Sequence, residues 1–156
     1  LLPTLPIEVL RLRIRRAQDL GLPYKTYASI RAQTGEDVIG FLFSSNALRM
    51  IRKTDISMPV AEKLRGVKAD RSALLHPPLV PADFAARPEI DAVFAAPLFT
   101  DSWPDMRAKL RRVLADRRGP SDRYLIVGET GAERDWAAAA RCAGFVSGTE
   151  YFGLTD

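Results

Sequence analysis

The chain of 156 residues is 47% hydrophobic and 27% charged, which is typical of one ordinary globular domain. No segment approaches the roughly 18 uninterrupted apolar residues of a membrane span, so we expect a soluble protein with no membrane partner. The first residues lack both a basic region and a small-residue cleavage site, so the sequence predicts no signal peptide. Cys142 is the one cysteine and cannot form an internal disulfide, which favours a small core thiol in a cytoplasmic protein.

The net charge of +4 is the sum of alternating basic and acidic blocks. Residues 1–53 carry nine Lys or Arg and four Asp or Glu, and residues 107–123 carry seven and two. Basic blocks on one face could neutralise the phosphates of a nucleic acid, although solvated helix faces explain them equally well. Nucleic-acid binding is therefore an alternative function, and its candidate contacts are the basic side chains of the first helices: Arg11, Arg15, Arg16, Lys25 and Arg31.

Residues 1–36 are predicted to form a helical N-terminal segment. Apolar residues recur there at helical spacing, at Ile7, Leu10, Ile14 and Ala17. Gly21 is suited to end this first helix and Pro23 to open a second. Leu10–Arg15 also alternates apolar and basic residues, as a half-buried strand does. The helical spacing continues through Leu20, which favours the helix.

Val38–Phe43 is a continuous apolar run of the length of a strand. A strand buried on both faces has this pattern, and a buried helix remains the alternative. Three polar residues follow, Ser44, Ser45 and Asn46. We predict that a helix comes after them, at residues 47–53.

From Ile90 onward the pattern alternates between strand and helix. The predicted elements are a strand at 90–99, a helix at 103–117, a strand at 124–127, a helix at 132–143 and a strand at 145–147. Such alternation predicts a three-layer α/β fold of the Rossmann-like kind, with a mostly parallel sheet and helices on both faces. We expect residues 37–156 to form this domain, with the helical segment 1–36 either separate or part of one compact unit.

Two carboxylates stand where the strand at 124–127 gives way to a helix. Glu129 follows the strand, and Glu133 lies four residues later. Open α/β sheets bind ligands at the carboxyl ends of their strands, and paired carboxylates there could hold Mg²⁺. Thr130 and Glu133 also have the spacing of a capping box, so the alternative is that Glu133 caps the helix. Glu129 is then the main functional candidate. His76, the one histidine, precedes two prolines and is interpreted as a turn or packing residue.

The strand at 124–127 ends in Gly128 and Glu129, a second acid follows at Glu133, and the next helix ends at Ala143 and Gly144. This arrangement resembles the last motif of the haloacid dehalogenase (HAD) superfamily. The similarity extends over residues 90–153. The segment before the motif is similar to the strand, loop and helix that precede it in the family. The segment after it resembles the ending of polynucleotide 3′-phosphatases. The resemblance implies a HAD-like fold, with Glu129 and Glu133 as its metal ligands.

The HAD phosphatases carry an Asp-x-Asp nucleophile motif that this sequence lacks. If residues 38–48 correspond to the family's first strand, Phe43 and Ser45 occupy the two acid positions. If they correspond to its second motif, the phosphate-binding residues are Ser44 or Ser45, with Asn46 beside them. The family's lysine would fall at Trp103. We therefore expect a HAD-like protein without a nucleophile, inactive as a phosphatase, that binds a phosphorylated small molecule or a macromolecular partner.

The alternative from the enzyme class is an active Mg²⁺-dependent hydrolase or phosphotransferase with altered catalytic residues. It would use Glu129 to hold the metal, and Ser44 or Ser45 to bind phosphate. The two hypotheses differ in whether these groups converge at one site. No catalytic residue, substrate or oligomeric state is predicted.

Overall fold

The computed structural model describes residues 5–154, which form five strands and six α-helices. The strands are β1 Gly40–Ser44, β2 Asp70–Leu75, β3 Ala92–Ala95, β4 Tyr124–Gly128 and β5 Gly144–Ser147. The helices are α1 Ile7–Leu20, α2 Tyr24–Thr34, α3 Met58–Gly66, α4 Trp103–Ala115, α5 Gly131–Ala140 and α6 Gly148–Phe152. Short 3₁₀ turns occupy Pro81–Asp83 and Ser121–Arg123. None of the described helices is long and apolar enough to cross a membrane.

The described strands make one all-parallel sheet in the order β3-β2-β1-β4-β5. In the pairing of β1 with β4, Phe41 lies opposite Leu125 and Phe43 opposite Val127. The chain builds outward from β1 in one direction through β3, and then crosses back to place β4 on the other side of β1. The carboxyl ends of β1 and β4 therefore flank the point where strand order reverses, which is where open α/β sheets bind ligands.

Helices cover both faces of the sheet, which confirms the predicted three-layer α/β fold. Alternate strand residues face opposite layers, so Phe41 and Phe43 pack with α1, α2, α3 and α6, while Leu42 packs with α4 and α5. A strand buried in this way is apolar on both faces. This explains why residues 38–43 have no polar alternation, and the alternative of a buried helix there is wrong.

Helix α1 confirms the helical prediction for the first segment, and the alternative of a strand at residues 10–15 is wrong. Gly21 ends the helix in the left-handed conformation, with φ of 71°. The apolar stripe of α1, however, is only partly buried: Ala17 and Leu20 reach the core, while Ile7 and Ile14 are 62% and 38% exposed. Only the last turns of α1 lie over the sheet. Residues of α1 and α2 share one apolar cluster with β1 and β4.

The predicted helix at residues 47–53 is wrong, because the chain makes a turn there and then a loop. The Ser44 hydroxyl accepts the N–H of Ala47 at 3.0 Å, and the Ser45 carbonyl accepts the N–H of Met50 at 2.9 Å. Arg49 then adopts a positive φ of 61°, which an ongoing right-handed helix does not permit. Residues 45–57, here called the β1–α3 loop, therefore stay irregular at the carboxyl edge of the sheet.

Two further segments differ in detail from the prediction. The sequence predicts an extended stretch at residues 74–80, but only its first two residues belong to a strand, β2, which begins at Asp70 and ends at Leu75. The sequence also predicts that Trp103 lies on the apolar face of the helix at 103–117, but this side chain is 43% exposed in the first turn of α4. The rest of the predicted face of α4 is buried, at Met106, Leu110, Val113 and Leu114.

Candidate functional site

Glu133 is a fully buried carboxylate at the carboxyl ends of β1 and β4. Its Oε1 accepts hydrogen bonds from the Ser44 hydroxyl at 2.8 Å and from the backbone N–H groups of Glu129 and Thr130 at 2.7 and 3.4 Å. Its Oε2 accepts from Asn46 Nδ2 at 2.8 Å and lies 2.5 Å from His76 Nε2. Polar groups from three strand ends therefore converge on one carboxylate: side chains from the ends of β1 and β2, and backbone N–H groups from the end of β4.

Local sequence explains why Glu133 points inward. Thr130 accepts the N–H of Glu133 at 3.1 Å, and together the two residues form the capping box that their spacing predicts. Gly128 leaves the space that the carboxylate needs, since a Cβ at that position would lie 2.8 Å from both Cβ and Oε1 of Glu133. The prediction that Glu133 caps the helix is thus confirmed. The same carboxylate also contacts residues at the ends of β1 and β2.

His76 joins this cluster from the end of β2. Its backbone N–H donates to the Ser45 hydroxyl at 3.0 Å, and its ring stacks on Trp136 of α5 with centroids 5.4 Å apart. The sequence interpretation of His76 as a turn and packing residue omitted its contact with Glu133. A signal was present: in a parallel sheet, the residue after β2 reaches the same edge as the residues after β1. The contact of His76 with Glu133 was missed because the sequence predicts an extended stretch at residues 74–80, whereas the strand ends at Leu75.

The electrostatics of Glu133 follow from these donors. Burial by itself would raise the pKa of the carboxyl group, but the hydrogen bonds from His76, Glu129 N–H, Ser44 and Asn46 outweigh burial and hold the pKa below its ordinary value. The group is therefore ionised near neutrality. Five donors surround a carboxylate that offers about four lone-pair sites. This donor set does not fit Mg²⁺ at Glu133, since no oxygen lone pair is left for a cation.

Glu129, the other predicted metal ligand, faces a different neighbour. Its carboxylate is half-buried and accepts from the Thr149 hydroxyl at 3.1 and 3.2 Å. Arg49 Nη2 in turn donates to that hydroxyl at 3.0 Å. Gly148 permits this approach, because a Cβ there would lie 2.7 Å from Glu129 Oε1. Within residues 5–154 no group of three or more His, Cys, Asp or Glu is arranged to hold a metal ion.

The three predicted phosphate-binding residues lie together at the tip of β1, but their polar groups are turned inward. Ser44 and Ser45 are buried, and their hydroxyls bond to Glu133, Ala47 and His76. Asn46 is half-buried. Phe43 packs in the core against Tyr151, with ring centroids 5.8 Å apart, while Ser44 and Asn46 face Glu133.

The order of contacts limits the chemistry of the cluster. A serine nucleophile is activated when its hydroxyl donates to a histidine, which a carboxylate then orients. Here the carboxylate of Glu133 lies between Ser44 and His76 and contacts both directly. Ser44 is also completely buried. The arrangement holds three strand ends together and does not activate the hydroxyl.

The surface beside this cluster is cationic. Arg49, Arg52 and Lys53 of the β1–α3 loop are exposed, against one exposed carboxylate, Asp55. Ile51, at 67% exposure, lies among them. They line a depression of about 510 Å³, and a second one of about 320 Å³ continues from the same loop to residues 78–83. The carboxyl edge of the sheet thus carries positive charge beside a closed polar cluster.

Two of the five basic residues proposed to contact nucleic acid form contacts within the fold, and three are exposed. Arg16 pairs with Asp37 at 2.9 Å and donates to two backbone carbonyls, and Arg31 lies 3.8 Å from the same carboxylate. Their charge is partly used inside the fold. The remaining residues of that set are exposed: Arg11, Arg15 and Lys25.

The fold and the cluster together define an α/β protein with a buried carboxylate network at the carboxyl edge of a parallel sheet. No protein-family model matches the chain, and no curated protein or solved structure is detectably similar to it.

Proposed function

We propose that this protein is a HAD-like binding protein without phosphatase activity, which holds a phosphorylated small molecule at the carboxyl edge of its sheet. The observation that carries the proposal is the direct contact of Ser44, Asn46 and His76 with the single carboxylate of Glu133. Groups that could act as nucleophile, base and metal ligand are there bonded to one another. Their role is to fix the ends of β1, β2 and β4.

The cationic β1–α3 loop supports the phosphate part of the proposal. Arg49, Arg52 and Lys53 provide positive charge at the edge where the strand order reverses. The depression that they line, about 510 Å³, is of the size of small-ligand sites. Phosphate oxygens accept charge-assisted hydrogen bonds from such side chains.

The strand order supports the part of the proposal that the fold is HAD-like. In the HAD-like interpretation, the strand at 38–43 lies beside the strand at 124–127, and β1 pairs with β4 in parallel. Ser44 and Asn46 would then occupy the two positions of the absent acid pair. Glu133 would keep the place of the family's second acid while serving as a helix cap.

An activity assay tests the loss of catalysis. We expect no hydrolysis of p-nitrophenyl phosphate above background with Mg²⁺ present, for the wild-type protein and for Glu129→Ala alike. Mg²⁺-dependent turnover that Glu129→Ala abolishes would overturn the proposal. It would favour the alternative of an active hydrolase that uses Glu129 to hold the metal.

Calorimetric titration with inorganic pyrophosphate tests the binding site. We expect Arg52→Glu to weaken binding about ten-fold, equivalent to about 1.4 kcal/mol. Arg111→Glu on α4 is the matched control, because it makes the same charge change at an exposed residue outside the loop. Equal affinities of the two variants, or the absence of pyrophosphate binding to the wild-type protein, would contradict the proposed site.

A further inference from the structure

The strand β3 forms an open edge of the sheet. Within the described residues it pairs with β2 on one side and with no strand on the other. The outward N–H and C=O groups of an edge strand are a template for a further strand. Proteins that bind extended peptides commonly use such an edge, which supplies main-chain hydrogen bonds.

A groove of about 480 Å³ runs between this edge and α4. Its walls are largely apolar, formed by Phe94, Ala96, Leu98 and Val113. Lys109 and Arg112 of α4 also line it. The groove is thus recessed and apolar, with cationic side chains along one wall. It has the dimensions for one or two side chains of an extended segment.

Large apolar side chains continue from the groove onto the surface. Leu98 and Trp103 are each 43% exposed, and Phe99 is 86% exposed. Three such residues lie within six positions, with Thr100, Asp101 and Ser102 between them, so exposed apolar surface is concentrated beside the groove. Residues 98–103 therefore extend the recessed site with a surface that burial would stabilise.

The charge beside the groove selects the partner. Lys109 is neutralised by Asp101, with 2.6 Å between Nζ and Oδ2. In the part of the chain that the structure describes, Arg112 has no acidic partner. A partner that places carboxylates along α4 would supply the missing charge.

A second copy of this chain is disfavoured as the occupant. Pairing two β3 edges about a two-fold axis would bring the two α4 helices side by side. The Arg112 side chains of the two grooves would then lie on the same face of the joined sheet, and like charges brought together in an interface disfavour it.

We propose that the groove between β3 and α4 binds an extended segment of another protein, in which every second side chain faces the groove, and these side chains are apolar in the middle and acidic at one end. The segment adds to the sheet as a strand beside β3. Its apolar side chains on that face enter the groove over Leu98, and the carboxylate on the same face lies against Arg112. This surface is distinct from the carboxyl-edge site and does not depend on the function proposed there.

Fluorescence anisotropy with a labelled twelve-residue peptide tests this site. Alternate residues of the peptide are glutamate near the two ends and valine or phenylalanine in the middle, and threonine fills the positions between them. We expect saturable binding to the wild-type protein at 150 mM salt, and at least ten-fold weaker binding to Arg112→Glu. Leu98→Ser is expected to weaken binding by a similar factor. Arg111→Glu, with the same charge change on a side chain that does not line the groove, is expected to stay within three-fold of the wild type.

Two altered probes distinguish the mode of binding. A peptide with N-methylated alternate amides cannot pair on that edge as a strand, and we expect it to lose binding. Equal binding of the methylated peptide, or equal loss in the Arg111→Glu and Arg112→Glu variants, would overturn the proposal. So would the absence of peptide binding together with binding to phosphatidylserine vesicles, since a membrane contact would then explain the apolar surface.

Discussion

The two ends of the sheet each contain a completely buried carboxylate, and the two are balanced in different ways. Asp70 begins β2 at the amino edge, and Glu133 lies at the carboxyl edge. Asp70 pairs with a permanent cation, Arg117, whose Nε lies 2.9 Å from Oδ2 and whose Nη2 contacts Oδ1. Tyr124 and Ser72 complete its hydrogen bonds at 2.7 and 3.1 Å.

Glu133 has no permanent cation as a partner among the described residues. Its charge is balanced by two backbone N–H groups, a serine, an asparagine and one imidazole, which is charged only when protonated. A carboxylate held by a fixed cation is suited to locking a structure, whereas one held by neutral donors can exchange them. The comparison teaches that the amino edge is closed by an ion pair with a permanent cation, while the carboxyl edge is closed by hydrogen bonds from neutral donors and one imidazole.

The largest effect is expected from Arg117→Ala at the amino edge. Removing one partner of a buried ion pair leaves an uncompensated charge, so the free energy of unfolding should fall by about 3 to 5 kcal/mol. Urea denaturation measures it, with Arg118→Ala as the control because that side chain is exposed. A loss under 1 kcal/mol would mean that Asp70 does not depend on its cation.

The next largest effect is expected from Gly128→Ala at the carboxyl edge. The new methyl group would lie 2.8 Å from Cβ of Glu133, so the carboxylate or the strand must shift. Overpacking of this kind costs about 1 to 3 kcal/mol. Gly131→Ala is the matched control, because no atom lies within 4 Å of its added Cβ, and we expect it to be neutral or slightly stabilising in urea denaturation.

His76→Ala should have a smaller effect, because it removes one of five donors. We expect a loss of about 1 to 2 kcal/mol in the free energy of unfolding. The emission of Trp136 should also change, since the imidazole stacks on its ring. His76→Gln, which restores a donor, should recover part of the stability. A loss as large as that of Arg117→Ala would break the comparison, because the imidazole would then act as the charged partner of Glu133.

The smallest effect is expected from mild acid. Burial raises the pKa of both carboxyl groups. Hydrogen bonds lower it by more, so the net shift is downward: Arg117 and Tyr124 donate to Asp70, and His76, Ser44, Asn46 and the Glu129 N–H bond to Glu133. A lowered pKa means that folding favours the ionised form. Stability from these groups is therefore present above the ordinary values of 3.8 and 4.5, and is lost as the pH falls through the folded-state values.

Thermal unfolding between pH 7 and pH 4 measures this dependence. The loss should approach about 1.4 kcal/mol per pH unit for each group that titrates only in the unfolded state. His76→Ala should lessen the part that comes from Glu133, and Arg117→Ala the part that comes from Asp70. A stability that rises as the pH falls below 4.5 would contradict the direction of both shifts.

Local patterns explain how much of this could be predicted. The unit from β4 to α5 was recognisable, because a buried apolar strand, a capping box and an alanine-rich helix are all local features. The predicted helix at residues 47–53 failed because the Ser44 hydroxyl takes the Ala47 N–H and Arg49 turns the chain. Helical propensity does not include such competition from a neighbouring side chain.

The sequence by itself determined the class of fold, since continuous apolar strands alternating with helices must be buried on both faces of a parallel sheet. It also predicted the helix cap at Glu133 as the alternative to a metal ligand, because residues three apart make that contact. Only the tertiary structure decided that Ser44 and His76 meet at the same carboxylate, 89 and 57 residues away along the chain. Such contacts depend on strand order and register, and these are set by packing of the whole sheet rather than by any local pattern.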